Sequence, residues 1–393
     1  MNKKVAIILG NFGDYAEKYL PDCIDGLRAQ DWTGEKKIFI YDNASTEKSR
    51  NYLKRIVPEA EIIVNQKNDG FAKGNNDAIK KALEQGFDYI ALFNLDMVFE
   101  PDCLSKMIEV AELDSRLRGN DKGKGGNDNV KIGAVQARIM LWPEKEKINS
   151  LGNMTHFLGF GYCKGYGQEY KNCHSGGSSE LSERLIESSN VDKNEILSLR
   201  SSMTARNICY PSGAAVLFKA EVLKKVGLFD EEFWMYNEDQ DLGWRIWLAG
   251  FKCILASEAV AYHKYEFSRS IQKYYWMDRN RILVMLKNYH WFTLILIFPA
   301  FVIMEIGLLL FSLNGGWIKD KLRVWGYFLS AKNWHYIIRA RQASQKLRKI
   351  KDRHIIKMFS GRIWYQEIGD WKLRLINPIF NAYWWLVKKI IWW

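Results

Sequence analysis

The six cysteines (Cys23, Cys103, Cys163, Cys173, Cys209, Cys253) include no CxxC pair and no regular spacing, which argues against a disulfide framework. The amino terminus lacks a secretory h-region: only five apolar residues, Val5 to Leu9, follow Met1-Asn2-Lys3-Lys4, and they read as a buried strand. Reduced thiols in a cytosolic compartment are therefore expected. There is no phosphate loop of the GxxxxGK[ST] type, because the glycines between Arg118 and Asn127 do not form one. The loop after the first strand, Gly10-Asn11-Phe12-Gly13-Asp14, contains no Lys or Arg, which speaks against a nucleotidyltransferase. No recognised nucleic-acid module is present either, so no nucleic-acid partner is expected.

What the chain does have is bulk, aromatics and a lopsided charge. Its 393 residues are 48% hydrophobic, enough for one large domain with an appendage or for two domains. Sixteen Trp and an aromatic share of 14% suit sugar stacking or a membrane interface. From Asn314 to Trp393 there are 17 Lys and Arg against 4 Asp and Glu, so this tail carries +13 of a net +12 and residues 1–313 carry −1. A near-neutral domain is followed by a cationic, Trp-rich extension.

The first 100 residues alternate strand and helix patterns. Strands are expected at Val5–Leu9, Lys37–Tyr41, Glu61–Val64 and Asp88–Phe93, with helical spacing from Tyr19 to Leu27 and from about Phe71 to Gln85. Ser45 or Thr46 would cap a further helix, and Pro101 would open another. This alternation predicts an α/β fold with a mainly parallel, doubly wound sheet. Ligands in such sheets bind beyond the carboxyl ends of the strands, where Asp42, Asn68 to Asn75 and Asp96 all fall. Loops are expected near 113–130 and 174–203, the second as a possible lid. A strand is expected from Cys209 to Phe218, with Gly213 letting backbone approach a ligand.

The stretch from Phe233 to Arg245 reads as the entry to a helix. Asn237 is the expected N-cap, Gln240 follows as in a capping box, and Gly250 closes the far end. Leu242, Ile246 and Ala249 form an apolar stripe, and Asp241 with Arg245 makes an i,i+4 pair. Glu238 and Asp239 are either first-turn acids favoured by the helix dipole or a catalytic pair. Three carboxylates within four positions, flanked by aromatics, exceed what capping requires. A carboxylate beside another carboxylate in apolar surroundings is a plausible base near neutral pH.

Residues 4–285, taken in order, resemble the inverting glycosyltransferases often called family 2, which have the GT-A fold. The matching pieces are Gly10-Asn11-Phe12, Tyr41-Asp42-Asn43-Ala44-Ser45, Asn68-Asp69-Gly70-Phe71-Ala72-Lys73-Gly74-Asn75-Asn76 and Phe93-Asn94-Leu95-Asp96. They continue with Ser212-Gly213-Ala214-Ala215, Gly227 to Phe233, Glu238-Asp239 and His263. The pattern is most similar to the rhamnosyltransferase-type branch that assembles cell-surface polysaccharides.

The resemblance implies a nucleotide-diphosphate sugar donor, UDP- or dTDP-linked by preference, and a saccharide or lipid-linked acceptor. Asn11, Asp42, Asn43, Asn68, Gly70, Phe71, Gly74, Asn75, Asn94 and Leu95 would face the donor, with Asp42 accepting from the nucleobase unless it serves only an Asx turn. Asn94-Leu95-Asp96 stands where the family has D-x-D, so Asp96 would hold Mn²⁺ or Mg²⁺, with His263 as a further ligand and Asn94 as a neutral ligand or ribose contact. Asp239 would be the general base and Glu238 would orient it or the acceptor. Gly213, Ala214, Trp234, Asp241 and Trp244 would meet the acceptor; for Trp244, sugar stacking and core packing are equally open. The missing first carboxylate of the triplet leaves a catalytically silent, membrane-bound sugar-binding subunit as the alternative.

Trp291 to Leu313 is long enough to span a bilayer but is interrupted by Pro299 and Glu305. A single crossing would put the basic tail opposite the side on which nucleotide sugars are made, against the positive-inside tendency. An in-plane or re-entrant arrangement on an anionic membrane surface is therefore expected, at the cytoplasmic face of the cell membrane, with 286–393 as the associating region. A buried helix of a soluble domain is the other reading.

Overall fold

The computed structural model describes residues 3–113, 131–170, 205–265, 274–363 and 371–393, with side chains from 376 in the last segment. Apart from Leu113, the two expected loops near 113–130 and 174–203 lie almost wholly outside the described residues. The amino-terminal third is built from β1 (Lys4–Phe12), α1 (Tyr15–Arg28), β2 (Glu35–Asn43), α2 (Glu47–Ile56), β3 (Glu61–Asn65), α3 (Gly70–Glu84), β4 (Tyr89–Asn94), β5 (Met97–Phe99) and α4 (Cys103–Ala111). Thr46 caps α2, its hydroxyl accepting from the Ser49 N–H at 3.1 Å. Then come β6 (Ile132–Leu141), β7 (Ile148–Ser150), β8 (Asn153–Thr155), β9 (Gly161–Cys163), β10 (Ala205–Asn207), β11 (Ala215–Lys219), α5 (Ala220–Val226), α6 (Glu238–Leu248) and β12 (Lys252–His263).

The main sheet runs β10-β12-β6-β11-β4-β1-β2-β3, with β5 added to β12 and β7 to β6. Pairings of β3, β2, β1 and β4 are parallel, as is that of β6 with β12, whereas β11 is antiparallel to both its neighbours. This mixed, mostly parallel sheet between helices is the GT-A-like architecture that the resemblance implies. The strand expected at Cys209–Phe218 begins only at Ala215. Residues 211–214 instead make a turn, with Gly213 lodged where a Cβ would lie 2.9 Å from the Phe71 ring.

Both faces of the sheet are covered, because its strands are apolar on both sides. Leu20, Ile24, Leu53, Leu104 and Met107 pack one face; Ala78, Ile79, Val222, Leu242 and Ile246 pack the other. The remaining helices are α7 (Tyr274–Asn288), α8 (Trp291–Asn314), α9 (Ile318–Leu329), α10 (Ala331–Lys346), α11 (Asp352–Ile355) and α12 (Trp371–Ile390). They share a core with α6 and the residues before it: Phe233, Trp244 and Leu248 join Leu283, Tyr289, Ile297, Val324, Ile337 and Trp384. The boundary expected at 285 thus falls inside α7 and inside this core.

Candidate active site

Register in the parallel sheet aligns the strand ends. Asn11 pairs with Asp42, Phe12 with Asn43, Asn43 with Asn65, and Gly10 with Asn94, so these residues share one edge. Asp42 is fully buried; Asn11 Nδ2 donates to its Oδ1 at 3.1 Å and Arg50 Nε to its Oδ2 at 2.8 Å. It is therefore a carboxylate positioned by an ion pair, and its side chain does not close an Asx turn. Asn43 Nδ2 donates to the Gly70 carbonyl at 2.9 Å, and Asn68 Oδ1 accepts from the Gly70 N–H at 3.0 Å. Gly70 has φ +80°, and a Cβ there would meet Trp234 at 2.5 Å, so only glycine lets the start of α3 sit against that indole. Asn75 Nδ2 donates to the Tyr41 hydroxyl at 3.0 Å, and a Cβ on Gly74 would lie 2.4 Å from the Tyr41 ring. Gly74 and Asn75 thus seat α3 on β2, while Phe71 lies between Gly213 and Phe229.

Beyond β4, Leu95 is buried and Asn94 and Asp96 are half-buried. β12 runs antiparallel to β5 and ends at His263, opposite Met97. This brings His263 Nε2 to 3.2 Å from Asp96 Oδ1, while Asn149 Oδ1 lies 3.2 Å from Nδ1. An oriented imidazole facing a carboxylate is the usual preparation of a metal-binding histidine. Among the described residues no group of three His, Cys, Asp or Glu gathers, and Asp96 with His263 is a pair. The set fits a divalent cation that also takes oxygens from a diphosphate.

Glu238 and Asp239 open α6. The three residues before them that adopt positive φ are not glycines: Trp234 (+58°), Tyr236 (+69°) and Asn237 (+64°). Such backbone is strained, and it persists only when its surroundings hold it. Asn280, fully buried in α7, places Nδ2 2.9 Å from the Phe233 carbonyl, 2.9 Å from Met235 and 2.7 Å from Tyr236. Its Oδ1 accepts from Arg279 Nε at 3.0 Å, and Arg279 also donates to the Glu232 carbonyl. Ala72 N–H donates to the Trp234 carbonyl at 3.1 Å, closing the strap onto α3.

The two acids have different surroundings. Glu238 is buried and its Oε2 has no hydrogen-bond partner; burial first, then Asp239 beside it, pushes its carboxyl well above the usual range. Asp239 Oδ1 accepts from the Gln240 N–H at 2.7 Å and Oδ2 from the Gly213 N–H at 3.3 Å. Burial pushes Asp239 up to about 6, against the pull of those two N–H groups. Burial and the neighbouring acid thus favour the neutral form of Glu238, while Asp239 ionises at about 6. The turn that donates to Asp239 also reaches the end of β4, because the Asn94 N–H donates to the Ala214 carbonyl at 3.0 Å. Gln136, buried in β6, fixes the turn by accepting from the Ser212 N–H at 2.7 Å.

Three expectations need correction. Asn237 does not cap α6 through its side chain: its backbone is left-handed and its Nδ2 donates to Gln240 Oε1 at 2.6 Å. Asp241 does not face an acceptor. It is fully buried among Arg245 (2.8 Å), Lys287 (2.9 Å) and Asn288 (2.9 Å), so its charge is spent inside the scaffold. Trp244 is buried with Tyr289 and Phe359 edge-on to it at 4.6 and 4.7 Å, which resolves its two readings as core packing. Trp234 is half-buried at the rim and stacks on Trp276 at 4.8 Å. Arg50, Gln136, Asn149, Trp276 and Asn280 were not visible as site residues in the sequence, because each acts across elements with no local motif.

A polar strand edge, a carboxylate–histidine pair and an acid pair at a helix start are what this GT-A-like fold brings to the candidate site. Residues 7–162 match the family model described as glycosyl transferase family 2. That segment takes in Asn11 to Asp96 and Asn149 and stops short of Gly213, Asp239 and His263. No curated protein matches the chain in sequence. Solved structures similar to it include GalNAc-T7 with UDP, GalNAc and Mn²⁺ (11% identity, TM-score 0.47, 73% of this chain and 48% of that one). Others are TarS of S. aureus (14%, 0.46, 98% and 53%) and the mannosyltransferase PcManGT from Pyrobaculum calidifontis in complex with GDP-Man and Mn²⁺ (12%, 0.44, 99% and 87%). The chain spans about half the length of the first two.

Proposed function

We propose that the protein is an inverting, metal-dependent glycosyltransferase that moves a sugar from a nucleoside diphosphate to a hydroxyl of a saccharide or lipid-linked acceptor. The reading extends to cell-surface polysaccharide assembly of the rhamnosyltransferase type. The observation that carries it is the Gly213–Ala214 turn, which joins Asp239 on one side to Asn94 on the other. A base and a leaving group must sit on opposite sides of the transferred sugar, and the turn bonds Asp239 through the Gly213 N–H and the end of β4 through the Ala214 carbonyl.

Asp239 takes the acceptor's hydroxyl proton as that oxygen forms its bond to the anomeric carbon and the bond to the diphosphate breaks. One displacement inverts the configuration, so no enzyme nucleophile is needed. Glu238 stays neutral and, with its free Oε2, is suited to donate a hydrogen bond toward the sugar or acceptor. Asp96 and His263 would hold the metal, which when bound supplies positive charge to the departing diphosphate. Arg50 and Asn11 fix Asp42 where a base edge would meet it.

The test is transfer by the wild type and by Asp239→Asn, with the anomeric configuration of the product read by NMR. Inverted product from the wild type and none from the variant is the expected result. A retained configuration, or near-normal turnover by the variant, would overturn the mechanism.

A further inference from the structure

The helix α8 is 24 residues long and holds an 18-residue stretch with a mean hydropathy of 2.7, enough by length and composition to cross a membrane. Its packing points elsewhere. Thr293, Ile297, Ala300, Met304, Glu305 and Ser312 form one buried stripe along its whole length, while Ile295, Phe298, Ile306 and Leu310 on the other flank are each more than half exposed. Glu305 lies inside the stripe. Its carboxylate pairs with Arg281 of α7 and, at 2.7 Å, with Lys321 of α9, and accepts from Trp325 Nε1 at 2.9 Å. Asp278 completes the cluster, 2.7 Å from each cation, and both cations are buried. Two acids and two bases neutralise one another at the midpoint of an apolar helix.

We propose that α8 lies in the plane of an anionic bilayer, with this four-charge cluster as the clamp that fixes it to the catalytic domain. Arg281 follows Asn280, and Asn280 holds the strap that presents the acid pair. If α8 crossed the bilayer, α7 and the catalytic strap would be drawn to the middle of the hydrocarbon, where uncovered charge and irregular backbone are costly. Lying flat, α8 buries only its exposed flank and leaves the site at the water–lipid boundary.

The neighbouring helix agrees. Near the carboxyl end of α12, Trp385, Ile390 and Trp392 are exposed, and Trp393 Nε1 donates to Thr293 Oγ1 at 2.9 Å, which places that end beside the start of α8. Cations stand over the exposed or rim indoles: Lys389 over Trp385 at 3.5 Å, Arg341 over Trp291 at 4.0 Å and Lys351 over Trp392 at 5.6 Å. Indoles with adjacent Lys and Arg match the headgroup region of anionic lipid, and the +13 of residues 314–393 adds long-range attraction. A second copy of the chain would repeat that charge and be repelled by it. This inference does not rest on the reaction assigned to the site.

The full-length protein, exchanged out of detergent, is floated with phosphatidylcholine vesicles and with vesicles containing phosphatidylglycerol. Flotation is expected with the anionic vesicles, weakened by salt and weaker still with the neutral ones. Phe298→Glu combined with Ile306→Glu should lower it more than about tenfold, since burial of even one such side chain is worth that much; circular dichroism confirms that the variant is folded. Trp291→Cys and Leu313→Cys, probed with a membrane-impermeant maleimide in sealed vesicles of both orientations, should label from the same side. Labelling from opposite sides would show a crossing. Absence of flotation, with concentration-dependent dimers in sedimentation, would assign the surface to a second copy. Either result overturns the proposal.

Discussion

Asn280→Ala is the substitution that separates a catalytic scaffold from an ordinary packed loop. The wild-type amide gives its two hydrogens to three carbonyls at 2.7–2.9 Å, across a segment with positive φ at Trp234, Tyr236 and Asn237. Left-handed backbone costs about 1 kcal/mol or more for each non-glycine residue, so the strap stores on the order of 3 kcal/mol. The hydrogen bonds that oppose this are worth about 1 kcal/mol each, and their loss takes the Asn280 donor from the Met235 and Tyr236 carbonyls, while Phe233 keeps the Met235 N–H. The balance therefore tips toward relaxation, and Asp239 and Glu238 move with the strap. A displacement of about 1 Å costs roughly 100-fold in rate. We expect kcat to fall by about that factor, with donor KM little changed and the acidic limb of the kcat profile shifted below about 6 as water reaches Asp239. Asn280→Asp, which replaces the donor by an acceptor facing three carbonyls, should be worse than alanine. A variant with a lower Tm but wild-type kcat and an unmoved pH profile would refute the reasoning.

Three further outcomes follow from single groups. Asp239→Asn should abolish transfer, leave nucleotide binding nearly intact and raise Tm above pH 6. The carboxyl rises from its ordinary 3.8 to about 6 on folding, so the folded state holds the extra proton between those values and stability falls as pH climbs through them. The gain from the amide is thus full above about pH 6 and absent below about pH 4; a Tm gain that is the same at both ends would contradict the assignment. Asp96→Ala should weaken nucleotide binding in the presence of Mn²⁺ and leave binding in chelator unchanged, as read by calorimetry. Glu305→Ala leaves Arg281 and Lys321 to share Asp278, with one buried positive charge uncompensated, and should cost about 3–5 kcal/mol, measured by thermal unfolding in detergent.

Periodicity carried the fold well where strands and helices were long and local. The parallel β1–β4 core and its helices are legible because apolar runs alternate with capped amphipathic segments. Strand ends then fall on one edge by topology alone, which is why Asp42, Asn68 and Asp96 could be grouped without coordinates. The reading failed where long-range packing decides. Asp241 and Trp244 sit in the same helix as Asp239, and no spacing rule distinguishes the acid that accepts from the Gly213 turn from the one facing Lys287 of α7. Asn237 has the composition of an N-cap, yet the strained strap turns its backbone left-handed and reverses its hydrogen-bonding role. Glu305 looked like an interruption in an apolar run, whereas its partners lie 24 residues before it, in α7, and 16 after it, in α9.

The most direct test of the account is calorimetric titration of the detergent-solubilised, full-length protein with UDP, GDP and dTDP, each with and without Mn²⁺. The account predicts binding of one nucleotide that depends on the metal and is lost in Asp96→Ala. Binding of none, by a folded protein, would contradict the glycosyltransferase reading and leave a silent subunit, with Asn94 as the residue to explain.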